Sequence, residues 1–374
     1  MKKVLIVTTI QNTITAFLIP HIKFLEKKGY KVILATNVFK KLPEELENNE
    51  WINIPFSRNP FSISNFRAIK EMRNLFKKEK FELIHFHTPV AAFLGRYAAM
   101  REKQRNIIYT AHGFHFFKGA PLINWLIYYT LEIIASRWTD KLVTINEEDY
   151  HRAKSFKLRE GGKVYKVSGV GLDIGRYQNG DGEKIKRELF IGGNEKTILM
   201  VGELNKNKNQ IQLLNILEKL KLKGKNVRGV FVGVGEQEKK LREIAKEKRI
   251  RVNFLGYRRD ITDIVASSDI LCSMSYREGL PRNLMEGMCQ GKPLVVTNIR
   301  GNRDLVLEGE NGYLVDVNEV EEASKKIIDI LENKELYEKL SKNSSEYVKK
   351  YSIEKVLEEM KEVYKIEKNS YSQS

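Results

Sequence analysis

Short apolar runs alternate with amphipathic stretches along the first half of the chain. Residues 3–8 form a continuous apolar run of the kind found in parallel strands that are buried on both faces. Similar runs predict further strands at 31–35, 83–87, 106–111, 140–146 and 163–168. Apolar residues at helical spacing predict helices at 16–28, 65–78 and 90–100. This alternation of strand and helix favours a parallel α/β sheet.

The same pattern restarts after a polar, glycine-containing segment at 169–183, which indicates a linker. Beyond it, apolar runs predict strands at 197–202, 228–233, 252–256, 270–273 and 292–297. Helices are predicted over 209–221, 320–331, 334–350 and 352–367, and a further charged helix after the 228–233 strand ends at Lys248. A chain of 374 residues is too long for one ordinary core. We therefore predict two Rossmann-like domains, residues 1–170 and 171–351.

The loop after the first strand, residues 9–15, contains no glycine. A dinucleotide-binding fold needs closely spaced glycines there, so that the backbone can approach the pyrophosphate. The sequence therefore argues against a nicotinamide or flavin enzyme.

Residues 119–136 are strongly apolar, with Glu132 as their only charge. The stretch is shorter than the roughly twenty apolar residues of a membrane span, and Pro121 and Asn124 interrupt it. It reads as a buried helix, or as an interfacial helix with Trp125 and its neighbouring tyrosines at the level of lipid headgroups.

Charge is unevenly distributed along the chain. The formal net charge is +17, of which residues 1–172 carry +13 and residues 173–374 carry +4. A lysine-rich composition would explain this, and so would a basic face that meets anionic lipid or a pyrophosphate-bearing acceptor. Nucleic acid is not expected as a partner, since no recognised binding module is visible.

The two cysteines, Cys272 and Cys289, lie in apolar surroundings without metal or redox spacing. We expect reduced core thiols. Residues 1–7 run directly into a strand and show no signal-peptide pattern, so a cytoplasmic location is predicted.

The richest chemistry lies in residues 276–297, which set Glu278 and Glu286 eight positions apart around a predicted helix start. Pro281 suits the first helical position because its φ is fixed and its nitrogen carries no hydrogen. The following amides then lack intrahelical partners and can bind an anion. One carboxylate borders this anion site and the other can reach a neighbouring hydroxyl, as the binding of a sugar nucleotide requires.

Glu278-Gly-Leu-Pro281 with Glu286, followed by Gly291-Lys-Pro293 and Asn311-Gly-Tyr-Leu314, resembles the block of two glutamates in family 4 glycosyltransferases. The resemblance implies a GT-B fold, in which two Rossmann-like domains face each other across a cleft, and a final helix (352–367) that returns to the first domain. It also implies a retaining transferase that needs no cofactor beyond its nucleotide-sugar substrate. No Asp-x-Asp stands before a sheet edge, which favours metal independence.

The resemblance assigns roles to individual residues. Glu278 is expected at the donor sugar, Glu286 at the ribose hydroxyls and Lys208 at the diphosphate. His112 ends a strand where family members commonly have a histidine facing the donor sugar; His85, His87 and His115 remain ambiguous. The family usually places an arginine where this chain has Glu203. Further donor contacts are expected from Gly279, Leu280, Pro281, Arg282, Asn283, Leu284, Gly233, Gly235, Tyr257 and Arg258.

Three functions remain open from the sequence. The first is transfer of a sugar, from a UDP-sugar in the main hypothesis, to a polyprenyl-pyrophosphate-linked oligosaccharide of a surface polysaccharide, at the inner face of the plasma membrane. The second is a nucleotide-sugar epimerase of the same fold, and the third is a non-catalytic sugar-nucleotide-binding protein. The two glutamates and the basic first domain argue against an epimerase. Loss of His112, Lys208 or either glutamate would have favoured a non-catalytic protein.

Overall fold

The computed structural model describes residues 1–365, which divide into two compact units. The first unit comprises Met1–Gly171 together with the segment that begins at Ile353, and the second comprises Leu172–Ser352. The division falls between Gly171 and Leu172, inside the segment that the sequence indicates as a linker.

The first unit alternates strands and helices from its first residues. Its strands are β1 (Lys3–Ile10), β2 (Lys31–Asn37), β3 (Glu50–Asn53), β4 (Leu83–His87), β5 (Ile107–Ala111), β6 (Lys141–Thr144) and β7 (Lys163–Lys166). Its helices are α1 (Gln11–Thr13), α2 (Ile19–Lys27), α3 (Ser64–Lys78), α4 (Pro89–Arg101), α5 (Leu122–Asn124), α6 (Thr130–Ser136) and α7 (Glu147–Ala153), with π-helical segments at Ile14–Leu18 and Trp125–Tyr129 and a 3₁₀ turn at Glu44–Leu46.

Among the described residues, all seven strands of this unit pair in parallel in the order β3-β2-β1-β4-β5-β6-β7. The order reverses between β1 and β4, so the connections leave the sheet in opposite directions there. Such a switch point leaves a crevice at the carboxyl ends of the strands, where open α/β sheets bind ligands. Residues of β4 and β5 are buried throughout, as the continuous apolar runs predict.

The structure corrects the prediction for the segment after β1. Instead of a loop over 9–15, the strand extends to Ile10 and helical structure begins at Gln11. The buried Gln11 side chain accepts hydrogen bonds from the amides of Phe39 and Lys40, at 3.2 and 3.0 Å. These long-range bonds stabilise the immediate turn into helix. The short edge strand β3 was not predicted, because its residues are only half-buried or exposed.

The structure confirms the predicted buried helix for only part of residues 119–136. None of the residues in α5 or in the π-helical segment Trp125–Tyr129 is buried, whereas α6 buries Glu132, Ala135 and Ser136. Trp125, Tyr128 and Tyr129 are half-buried and pack against the core, whereas Leu122, Ile123 and Leu126 are exposed. The interfacial interpretation of the first half remains a prediction.

The second unit repeats the alternation. Its strands are β8 (Lys196–Val201), β9 (Val227–Val232), β10 (Val252–Phe254), β11 (Ile270–Ser273), β12 (Leu294–Thr297) and β13 (Gly312–Val315). Its helices are α8 (Ile174–Gln178), α9 (Gly182–Glu188), α10 (Gln210–Leu222), α11 (Glu238–Glu247), α12 (Ile261–Ala266), α13 (Arg282–Met288), α14 (Asn302–Leu305), α15 (Glu321–Glu332) and α16 (Lys334–Tyr347), with 3₁₀ turns at Lys206–Lys208 and Val348–Tyr351.

Within the described chain, the six strands of the second unit pair in parallel in the order β10-β9-β8-β11-β12-β13. Their switch point lies between β8 and β11. The two separate parallel sheets confirm the predicted pair of Rossmann-like domains. Strand β13 was not predicted as a strand, because its four residues are too short a run to show a period.

The last described helix, α17 (Ile353–Tyr364), belongs to the first unit. Its Glu359 accepts hydrogen bonds from the amide and hydroxyl of Ser168, at 2.6 and 2.8 Å. The hydroxyl of Tyr364 lies 3.1 Å from His85 Nδ1. The sequence extends this helix to Glu367, but residues 366 and 367 lie outside the described part of the chain.

Both cysteines are buried free thiols, as predicted. Burial raises the pKa of the Cys289 thiol to about 12 and that of Cys272 further above its ordinary value. Neither thiol is therefore ionised near neutral pH, which suits a core residue rather than a nucleophile.

Candidate functional site

The switch point of the second unit brings Lys208 and Glu278 together. Lys208 follows β8 and Glu278 follows β11, and these two strands are neighbours in the sheet. Lys208 Nζ donates to Glu278 Oε1 at 2.6 Å. The same carboxylate oxygen accepts from the Ser275 hydroxyl at 2.6 Å. Residues 70 positions apart in sequence thus meet at the carboxyl edge where a Rossmann-like sheet binds ligands.

The loop that carries Lys208 is held by asparagines. Asn205 caps the 3₁₀ turn, because its side-chain oxygen accepts from the Lys208 amide at 3.0 Å. Asn207 joins this loop to the β11 loop: its Nδ2 donates to the Arg277 carbonyl at 3.0 Å, and its own carbonyl accepts from the Tyr276 amide at 2.8 Å. These bonds fix the backbone on both sides of the ion pair. They involve amides and carbonyls brought together by the fold, so sequence spacing alone does not reveal them.

The residues between Glu278 and α13 pack against a tight turn at Arg300 and Gly301. Arg300 Nε donates to the Glu278 carbonyl at 3.0 Å. The next residue, Gly301, has φ +82°, and a Cβ there would stand 2.4 Å from the Gly279 carbonyl oxygen. Only glycine allows this approach. Helix α13 then begins at Arg282, one residue later than predicted, and Pro281 takes the capping position with φ −73° and ψ 111°.

Two of the predicted donor contacts on α13 use their side chains for folding. Asn283 Nδ2 donates to the Val201 carbonyl at the end of β8, at 2.7 Å. Leu284 is fully buried in the core. Helical geometry leaves the first amides of α13 without intrahelical acceptors, so the backbone is the part of these residues that can still bind a ligand.

Glu286 lies on α13 beside Arg282 and Tyr177, and the three side chains form a second polar cluster. Arg282 Nε donates to Glu286 Oε1 at 3.3 Å, and the Tyr177 hydroxyl also hydrogen-bonds to the carboxylate. Burial raises the pKa of the Glu286 carboxyl, and the neighbouring Arg282 offsets part of this rise. Tyr177 comes from α8, in the segment that the sequence indicates as a linker, and its role was not predicted.

Gly233 and Gly235 follow β9, and they allow the loop after β9 to approach the loop after β8 closely. Gly233 has φ +137°, and a Cβ on it would lie 2.0 Å from the Gly202 carbonyl oxygen. A Cβ on Gly235 would lie 2.3 Å from the carbonyl oxygen of Leu204. The two glycines are therefore required by backbone packing around the Lys208 loop, whatever further contact they make with a ligand.

Tyr257 and Arg258, both predicted as donor contacts, differ in their surroundings. Tyr257 is exposed. Arg258 forms ion pairs with Asp260 and Glu188, at 2.6 and 2.5 Å. These two carboxylates, Asp260 first, raise the pKa of the Arg258 guanidinium. The Arg258 side chain therefore attaches α9 to the loop after β10.

The first unit holds His112 in a cluster of histidines at the carboxyl edge of its sheet. His112 Nε2 lies 3.0 Å from His87 Nδ1, and their rings stack. His85 Nε2 lies 2.7 Å from the Thr110 hydroxyl, and the His85 and His87 rings are 4.0 Å apart. His87 thus contacts both of the other rings, a role the sequence left open. His115 instead stacks on Tyr128.

All three clustered histidines have lowered pKa values. Burial, followed by the charge of His21, lowers the pKa of His112 to about 4. Burial is also the main cause that lowers the pKa values of His85 and His87 well below the ordinary value. These rings are therefore neutral near pH 7, and His112 can donate or accept one hydrogen bond but carries no cationic charge there.

Two absences in residues 1–365 bear on metals and membranes. No three side chains of histidine, cysteine, aspartate or glutamate are grouped so that they could hold a metal ion. Within the same residues, no helix has the length and apolar character needed to cross a bilayer.

Comparison with known proteins covers nearly the whole chain. The sequence model of the family described as "Glycosyl transferases group 1" matches residues 181–347, and that of "Glycosyl transferase 4-like" matches residues 3–146. EpsD of Bacillus subtilis (strain 168), named as a glycosyltransferase, is 34% identical over 370 residues, which are 97% of this chain and 96% of EpsD.

Two further proteins are similar over most of their length. An Escherichia coli protein named UDP-Gal:alpha-D-GlcNAc-diphosphoundecaprenol alpha-1,3-galactosyltransferase is 28% identical, over 82% of this chain and 81% of its own. The crystal structure of Anabaena Alr3699/HepE in complex with UDP and glucose shares the fold, with a TM-score of 0.81, 18% identity, and coverage of 98% of this chain and 100% of that chain.

Proposed function

The chain belongs to the group 1 glycosyltransferases, the family 4 enzymes of the GT-B fold. From this premise we propose that it transfers a sugar from a UDP-sugar donor. The acceptor is a polyprenyl-diphosphate-linked oligosaccharide of a bacterial surface polysaccharide. The observation that carries the proposal is the ion pair of Lys208 and Glu278 at the switch point of the second unit. A relative whose name includes a diphosphoundecaprenol acceptor supports the acceptor class.

Four of the predicted residues have a task in this reaction. Lys208 donates to Glu278 with one of its three hydrogens, and the others are available to the diphosphate oxygens as negative charge develops on them. Glu278 then accepts from a hydroxyl of the donor sugar. Glu286 accepts from the ribose hydroxyls, and the neutral His112 hydrogen-bonds to the donor sugar.

The reaction proceeds with retention and without a metal ion. The acceptor hydroxyl attacks the anomeric carbon from the face that the diphosphate leaves, so one C–O bond forms as another breaks. The departing phosphate oxygen takes the acceptor proton. The protein contributes orientation and stabilisation of the leaving diphosphate, and no carboxylate is required as a nucleophile.

The proposed enzyme works at the inner face of the plasma membrane, where a polyprenyl-linked acceptor is embedded. The excess of positive charge in residues 1–172 supports peripheral attachment to anionic lipid. The exposed apolar side chains of α5 and of the π-helical segment after it support an interfacial position for this part of the first unit.

The test is to incubate the protein with a panel of nucleotide sugars and to follow release of free UDP. We expect release that depends on a polyprenyl-diphosphate-linked sugar, and a product with the anomeric configuration of the donor. Isomerised nucleotide sugar without transfer would indicate an epimerase. Binding of UDP-sugars without any product would indicate a non-catalytic protein. Activity is also measured in excess chelator, where a metal-independent enzyme should keep its full rate.

A further inference from the structure

The first unit contains a cavity of about 510 Å³ that none of the predicted site residues lines. It lies at the carboxyl edge of the sheet, between α4, the segment after β5 and the helical run that ends in α6. Its lining includes Val90, Phe93 and Leu94 of α4, together with Phe114, Phe116 and Leu131. Its volume falls within the roughly 300–1,000 Å³ of small-molecule sites, and the predominantly hydrocarbon lining favours an apolar ligand.

The polar side chains of the lining are mostly occupied by bonds within the protein. The hydroxyls of Thr9 and Thr88 bond to each other at 2.7 Å, and Thr9 Oγ1 also accepts from the Ala91 amide at 3.2 Å. Glu132 Oε1 accepts from the buried Arg96 at 2.8 Å, so this carboxylate is neutralised by an ion pair. A ligand in the cavity therefore meets few polar partners.

Exposed apolar side chains lie on the same segments that line the cavity. Phe61 lines the cavity and is 82% exposed. Leu122 and Leu126, on the helical run that also supplies Leu131, are 87% and 70% exposed. An apolar chain that leaves the cavity can contact Phe61 at its edge. Large apolar side chains exposed together in this way mark an interaction surface.

One cation lies at the rim of the cavity. Arg58 lines it, is exposed, and forms no ion pair with any residue of the described chain. A guanidinium can bind a phosphate through two parallel hydrogen bonds. Hydrocarbon walls with an arginine at the rim match a ligand that has an anionic head on an apolar chain.

We propose that this cavity binds the first isoprene units of the acceptor lipid and that Arg58 binds its diphosphate. The inference rests on the proposed function, which supplies the polyprenyl diphosphate, and adds a site for the lipid itself. A sugar is the competing occupant, since Glu132 Oε2 has no hydrogen-bond partner among the described residues and would accept from a hydroxyl. The hydrocarbon walls on the other sides favour the isoprenoid.

The proposal is tested by calorimetric titration of the full chain with farnesyl diphosphate, inorganic diphosphate and farnesol, without a nucleotide sugar. We expect farnesyl diphosphate to bind at least about tenfold more tightly than inorganic diphosphate, because only the former buries hydrocarbon. Leu131→Trp fills the cavity and should weaken binding of farnesyl diphosphate by at least about tenfold. Ile134→Trp, on the same helix but away from the cavity, should leave it unchanged.

Two further variants separate head from chain. Arg58→Gln should weaken the binding of farnesyl diphosphate but not the binding of farnesol. Phe61→Ala, at an exposed position where a folding defect is not expected, should weaken both. Equal affinity for farnesyl and inorganic diphosphate, or equal loss in Leu131→Trp and Ile134→Trp, would overturn the proposal. Binding of the lipid-free acceptor sugar that Leu131→Trp abolishes would assign the cavity to the sugar instead.

The outcomes also distinguish this site from the proposed function. If transfer to an acceptor sugar on a short alkyl diphosphate is as fast as transfer to the polyprenyl form, the proposed lipid site is overturned. The proposed glycosyl transfer is then unaffected. Binding of farnesyl diphosphate in the cavity by a protein that neither binds nor cleaves UDP-sugars would leave the lipid site and overturn the transferase.

Discussion

At the scale of single residues, the candidate site pairs each functional carboxylate with a cation, in one case from another loop and in the other from the same helix. Glu278 is paired with Lys208, and Glu286 with Arg282. Burial raises the pKa of the Glu286 carboxyl above its ordinary value. A carboxylate that is hard to ionise gains from hydroxyl donors, which is the role proposed for Glu286 at the ribose.

Replacing Glu286 with alanine should weaken binding of UDP by about 1–3 kcal/mol, because the ribose hydroxyls lose their acceptor on becoming buried. Isothermal titration of the folded variant measures this. An unchanged affinity for UDP would contradict the assignment of Glu286 to the ribose.

The affinity of the unaltered protein for UDP should also depend on pH. Since burial raises the pKa of Glu286 above its ordinary 4.5, its carboxyl takes up a proton at a higher pH than an exposed carboxyl does. Protonation removes a hydroxyl acceptor, so affinity should decrease as pH falls through this raised pKa. Titration of Glu286→Gln over the same pH range is the control, because its amide does not ionise there.

Lys208→Ala should lower turnover by about 10²–10³, since one fixed positive charge at the leaving diphosphate is lost. Thermal unfolding should be measured beside turnover, because the pair with Glu278 is mostly buried and loss of Lys208 leaves that carboxylate without its cation. Lys206→Ala, an exposed neighbour on the same turn, is the matched control. If Lys206→Ala lowered turnover and Lys208→Ala did not, the diphosphate would be assigned to Lys206 instead.

At the scale of elements, the site depends on short connections held by side chains from distant parts of the sequence. The loops after β8 and β11 are joined through Asn207, and the turn at Gly301 supports the start of α13. In the first unit, α17 reaches the histidine cluster through Tyr364. An element at the end of the chain thus contributes to the surroundings of His85.

We predict that Glu359→Ala loosens α17. Both carboxylate oxygens of Glu359 accept hydrogen bonds from Ser168, and their loss should reduce stability by about 1–3 kcal/mol. The measurement is the urea midpoint of the full chain. Glu362→Ala, an exposed position on the same helix, should shift stability by no more than about 0.5 kcal/mol. Equal effects of the two substitutions would show that the Ser168 bonds do not matter.

At the scale of the whole molecule, charge is the property that distinguishes the two halves of the chain. Residues 1–172 carry +13 of the net +17. A lysine or arginine near anionic lipid contributes about 1 kcal/mol, so a few such residues on one face give reversible attachment. This attraction acts over about one Debye length, roughly 10 Å at 0.1 M salt and 3 Å at 1 M.

The full chain should therefore co-sediment with anionic vesicles at low salt and dissociate as salt approaches about 1 M, where charges are screened. Neutral vesicles are the control. The double variant Leu122→Ser with Leu126→Ser tests the apolar contribution, which salt does not screen, and should reduce the binding that remains at high salt. Equal binding to anionic and neutral vesicles would contradict an electrostatic attachment.

The sequence by itself determined the alternation of strands and helices and the two parallel sheets. Buried parallel strands are continuous apolar runs and amphipathic helices repeat every 3.6 residues, so both are visible in one dimension. It failed for β3 and β13, which are too short and too mixed in burial to show a period. It also failed for the start at Gln11, which is stabilised by bonds to residues of another loop.

For the candidate site, the spacing of Glu278 and Glu286 indicated carboxylates suited to a sugar nucleotide, and the resemblance to family 4 glycosyltransferases implied the role of Lys208. Only the tertiary structure brought Lys208 and Glu278 to 2.6 Å, placed Tyr177 beside Glu286, and stacked His87 on His112. These contacts join segments that are far apart in the chain. They exist because parallel strands gather their carboxyl ends at one edge of a sheet, and strand order is a property of the folded chain.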